Sequence, residues 1–75
     1  MKVLCVAIAP SLRKMITDAL NSMSGNEVVW AETEAEAEKY IASGHCGRII
    51  VTSPSLFETY SKRGLHQTRI TRWAN

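Results

Sequence analysis

The chain has 75 residues, a formal net charge of +2 and a mean hydropathy of −0.09, which describes one small domain, below the size at which a chain divides. Two cysteines, two prolines and four glycines exclude a disulfide scaffold, a collagen-like repeat and a proline-rich linker. A chain of this length hides only about 60% of its unfolded surface. A closed enzyme cleft with its supporting residues is hard to build at that size, and no catalytic residue is expected.

The longest apolar stretch, Val3 to Pro10, falls short of the roughly 20 residues that span a bilayer. Its flanks do not read as a signal peptide, so no membrane is expected as a partner. The expected location is the cytoplasm, where both thiols stay reduced, Cys5 buried in a strand and Cys46 in a turn.

The net charge conceals a division along the chain. Residues 1–17 carry +3 with no acid, residues 18–58 carry all seven acids and sum to −5, and residues 59–75 carry +4 with no acid. Local fields therefore exceed what the total suggests.

The first element is a strand over Val3 to Ala9, a continuous apolar run of the kind that a central parallel strand, covered on both faces, requires. Pro10 and Ser11 open a helix whose stripe, Leu12, Met15, Ile16, Ala19, Leu20 and Met23, recurs at helical spacing; Ser24-Gly25-Asn26 ends it. Glu27 to Glu32 reads as a second strand. Thr33-Glu34-Ala35-Glu36 matches a capping box and starts a helix running to about Ser43. In this helix Glu34 and Glu36 suit the positive end of the dipole, so the acid cluster reads as helix electrostatics.

Gly44 to Gly47 reads as a turn and Arg48 to Thr52 as a third strand. Two helix starts overlap next: Ser53 as cap with Pro54 first, or Ser55 as cap with Glu58 three residues on. Either start buries Leu56, Phe57 and Tyr60 and ends at Arg63-Gly64. The rest, residues 65–75, alternates in a way that permits a strand, and a frayed tail is the competing reading.

The expected fold class is α/β: a small three-stranded parallel sheet, order 2-1-3, with helices on both faces, a short C-terminal helix, and an extra strand or tail after it. Residues 1–64 form the α/β domain and residues 65–75 a basic C-terminal strand or tail. The exposed strand edges predict a homo-oligomer or a partner that covers the sheet.

The run Met1-Lys2-Val3-Leu4-Cys5-Val6, the helix near residue 12, the Thr33-Glu34-Ala35-Glu36-Ala37 helix start and the Arg48-Ile49-Ile50-Val51 strand resemble the first half of a response-regulator receiver domain, over roughly residues 1–60. Such a resemblance implies an acidic pair after the first strand and a phosphoacceptor aspartate at the end of the third. Here those places hold Ala9 and Pro10, and Thr52 and Ser53. Nothing is left to hold Mg²⁺ against a phosphoryl group, so the resemblance implies the fold without phosphotransfer.

In an open parallel sheet ligands bind beyond the carboxyl ends of the strands, here Ala9, Pro10, Ser11, Thr52, Ser53 and Ser55. Ser11, Ser53 and Ser55 read most simply as helix caps, and Cys5 comes too early in its strand to be a nucleophile. His45 beside Cys46 cannot complete a tetrahedral site, and His66 reaches it only by folding back. Neither a metal nor a cofactor is expected.

The suggestive stretch is the basic C-terminal end: Tyr60, Lys62, Arg63, Arg69, Arg72 and Trp73. Arginine and tryptophan are the residue types that most often anchor protein interfaces. The expectation is a small non-enzymatic regulatory protein, an inhibitor or adaptor acting by protein contact. It resembles the small accessory proteins that bacteriophages encode to bind host machinery. The alternative is a single-stranded nucleic-acid binder using the same segment. A third reading is internal: the tail pairs with the acidic second helix or completes the sheet.

Overall fold

The computed structural model describes residues 1–22, 25–44, 46–65 and 67–73; the readings made above for Met23, Ser24, His45 and His66 lie outside them. The elements run β1 (Lys2–Val6), α1 (Pro10–Asn21), β2 (Glu27–Ala31), α2 (Glu34–Ala42), β3 (Cys46–Val51), α3 (Pro54–Ser61) and β4 (Arg69–Arg72). All strand pairs are parallel and the sheet order is β2-β1-β3-β4. The extra strand left open by the alternating C-terminal pattern is therefore real and lies beside β3.

The step from β1 to β2 runs one way across the sheet, and the next two steps run the other way. Right-handed crossovers then put α1 on one face and α2 with α3 on the other. Under α1, Val3, Cys5, Ile8, Ile16, Leu20 and Ile50 form one buried cluster, with Leu12, Val28, Trp30 and Trp73 packed against it. Under α2 and α3, a second cluster gathers Leu4, Val6, Ala31, Ala37, Ile49, Val51, Leu56 and Tyr60, with Ile70 and Leu65 at its margin. Residues 3 to 6 of β1 are buried on both faces, as its unbroken apolar run requires.

The helices start as their caps dictate. Thr33 Oγ1 accepts from the Glu36 N–H at 3.2 Å, and the Glu36 carboxylate reaches back to the Glu32 N–H at 3.2 Å. Of the two overlapping starts for α3, the Ser53 one is used: its side chain accepts from the Leu56 N–H and Pro54 takes the first helical position.

Four expectations need correction. First, β1 ends at Val6 rather than Ala9: the Ala7 N–H still makes a ladder bond to Ala31 O at 2.8 Å, but its φ of 52° takes the chain out of the extended region. Second, the α1 stripe is narrower than its spacing suggested: Ile16 and Leu20 are buried, Leu12 is half-buried, and Met15 and Ala19 are exposed because one helix alone covers this face. Third, Cys46 is not in a turn. An irregularity in the β1–β3 ladder, where Lys2 pairs with Cys46 and Val3 with Arg48, admits Cys46 and Gly47 to the strand and buries the thiol. Fourth, Ser11 and Ser55 cap nothing; the N-cap position of α1 is held by Ala9, without a side-chain cap.

Candidate functional site

Local sequence divides the basic C-terminal residues between two places. Tyr60, Lys62 and Arg63 belong to the end of α3, which Gly64 closes at φ 70°. Arg69, Arg72 and Trp73 belong to β4 and the residue after it.

At the end of α3 the charges are already engaged. Lys62 Nζ meets the Glu58 carboxylate at 2.7 Å, one helical turn back. Arg63 pairs with Glu38 of α2 and lies 5.9 Å from the centre of the Tyr60 ring. Tyr60 is 2% exposed and belongs to the core, which corrects its assignment to a contact surface: the residue that α3 buries is not free to touch a partner. Its hydroxyl has no hydrogen-bond partner among the described residues. Burial, then Glu34 and Glu38, raise its pKa.

On β4 the picture differs. Arg69 and Arg72 are exposed, Ile70 and Thr71 half-buried. Arg69 stands in register with Arg48, Ile70 with Ile49 and Arg72 with Val51, so Arg69 and Arg72 project from opposite faces of the sheet. Arg48 is held by Thr71, its Nε donating to Thr71 Oγ1 at 3.0 Å. Trp73 packs half-buried over the α1-side cluster, its indole N–H without a partner among the described residues. Of the six residues singled out from the sequence, only Arg69 and Arg72 are both exposed and uncommitted to a carboxylate among the described residues.

The carboxyl-end positions serve helix starts: Ala9 O accepts from the Leu12 N–H at 2.9 Å, and Ser53 caps α3. A cleft that sequence reasoning missed lies at the other end of the sheet. It measures about 330 Å³ and is lined by Ile41, Cys46, Ile49, Leu65, Gln67 and Thr68 among others. No local motif marks it, because it arises where the end of α2 meets the approach to β4. Its chemistry is limited: burial pushes the Cys46 thiol up and Thr68 Oγ1 already donates to Cys46 O at 2.8 Å. No group of three or more potential metal ligands stands together among the described residues, and no described helix is long and apolar enough to cross a membrane.

Fold and surface together define the class: an open, all-parallel, three-layer α/β domain with a basic edge strand. No family model matches the chain, and neither a curated protein nor a solved structure matches it.

Proposed function

We propose that this chain is a small non-enzymatic regulatory protein, an inhibitor or adaptor, that works in the cytoplasm by contact with another protein through its basic C-terminal strand. The observation that carries the reading is the contrast within the segment. Lys62 and Arg63 are neutralised by Glu58 and Glu38, whereas Arg69 and Arg72 stand exposed on an edge strand. Arginine at an exposed sheet margin suits recognition of carboxylates, which its planar fork binds in pairs of hydrogen bonds.

The strand order β2-β1-β3-β4 is that of an open parallel α/β sheet, and the receiver-like resemblance rests on the sequence alone. With Ala9, Pro10, Thr52 and Ser53 at the places where receiver chemistry needs carboxylates, phosphotransfer is not part of the proposal. A protein partner is favoured over single-stranded nucleic acid by Trp73, which packs into the core margin instead of offering a ring face for stacking.

Affinity capture from a native lysate treated with nuclease, run beside titration of a labelled oligonucleotide, tests the reading. We expect a retained protein that the Arg69→Glu/Arg72→Glu variant loses. Salt-sensitive oligonucleotide binding without nuclease-resistant capture replaces it with the nucleic-acid reading.

A further inference from the structure

The β4 backbone specifies more than a charged surface. Trp73 N–H donates to Val51 O at 2.7 Å. In a parallel ladder, alternate residues of an edge strand aim both backbone groups at the neighbour and the residues between them aim outward. Arg69, Thr71 and Trp73 therefore face β3, and Ile70 and Arg72 hold their N–H and C=O groups away from it, where no described strand pairs with them. β4 is the last strand of the sheet, with no proline and no register shift, so nothing in the backbone of the described residues blocks a further strand.

The side chains restrict which strand can join. Arg48 and Arg69 stand side by side in register, and no carboxylate pairs with Arg48, Arg69 or Arg72 among the described residues. Like charges directly opposite one another are unfavourable, and an acid brought beside them relieves the repulsion. A second copy is a poor occupant: antiparallel self-pairing must set outward residues against one another, and centred on Thr71 it places Arg72 opposite Ile70 and Arg69 opposite Trp73, bringing no carboxylate to either arginine.

We infer that β4 is a docking edge for an extended acidic segment of a partner protein, which adds as a further strand with one carboxylate beside Arg69 and another, three residues along, beside Arg72. The residue beside Ile70 is apolar, because Ile70 lies on the margin of the core. The carboxylates fall on opposite faces of the sheet, as the arginines do. This inference rests on the protein-contact reading and supplies its geometry.

The test uses the full chain and a capped six-residue peptide with glutamates at its second and fifth positions and valine or threonine elsewhere. Expected are saturable binding, slowed hydrogen exchange at the Ile70 and Arg72 amides, and at least about tenfold weaker binding when lysines replace the glutamates. The Arg69→Glu/Arg72→Glu protein prefers the lysine peptide. Arg72→Pro, which removes an outward donor but no ladder bond, binds less well than Arg72→Ala. The inference fails if the peptide does not bind, if it binds without protecting those two amides, or if they gain protection with protein concentration alone, which would make a second copy the occupant. If lysate capture depends on Arg69 and Arg72 while Arg72→Pro matches Arg72→Ala, protein contact survives and strand addition does not.

Discussion

Trp73 extends the β3–β4 ladder by one residue beyond its last in-register pair, its N–H donating to Val51 O at 2.7 Å. That bond, with Leu65 and Ile70 at the margin of one core cluster and Trp73 at the margin of the other, ties the C-terminal segment to the body of the protein.

Truncation after Gly64 therefore removes a strand and leaves the fully buried Ile49, Ile50 and Val51 on an open edge. Burying one large apolar side chain is worth about 1.5–3 kcal/mol, and small domains hold only about 5 kcal/mol in reserve. We expect the shortened chain to lose cooperative urea unfolding followed by circular dichroism. A transition at the full-length midpoint would show that β4 is dispensable to the fold.

The three serines offered as helix caps are separable by substitution. Ser53→Ala removes the acceptor for the Leu56 N–H and should cost about 1 kcal/mol, a fall of roughly 4–8 °C in Tm for a domain of this size. Ser11→Ala and Ser55→Ala should shift Tm far less, because neither side chain caps its helix. Thermal melts of the three variants decide the matter.

What the sequence disclosed and what it hid follow from the range of the interactions. The β1 run and the Thr33 box depend on a residue's nearest neighbours or on its being covered from both sides, and both were legible. Where β1 stops was not. Ala7 looks apolar enough to continue the strand, yet its backbone leaves the extended region at φ 52°, and no residue type at this position signals it. Cys46 entered β3 through an irregular pairing with Lys2, which has no signature in the sequence around it. Within the candidate site, composition pointed to the right segment, but Arg63 and Arg69 differ only because Glu38 lies within reach of one of them.

Ala7 is the only non-glycine residue with positive φ among the described residues, at 52°. An L-residue in this region is strained by about 1–2 kcal/mol, of which glycine's greater freedom in the unfolded chain returns roughly half. Ala7 is exposed, so Ala7→Gly disturbs little packing. The variant should be more stable by up to about 1 kcal/mol in urea titrations, and an unchanged or lowered midpoint would contradict the strain.

The Cys5 thiol is pushed up from 9.0 to about 11 by burial, with Arg48 opposing the shift. Because the folded value is the higher one, the unfolded chain releases its proton first. The stabilisation is thus complete below pH 9 and is lost as pH rises toward 11. Cys46 and Tyr60 are raised as well and act in the same sense. Urea midpoints should fall across this window, and less steeply in Cys5→Ala. At pH 7.5 iodoacetamide should label the native chain far more slowly than the urea-unfolded one, as mass spectrometry can follow.

Every strand of this sheet is parallel to its neighbours, so the described strands form no hairpin from which folding can begin. The earliest pairing open to the chain, β1 with β2, already requires the whole of α1 to be laid across the sheet. β1 must then wait for a second neighbour from the far side of α2. A chain this short would ordinarily be a quick folder, but one without local strand contacts should reach its native state on a millisecond or slower scale. Until then its central strand is bare on at least one flank.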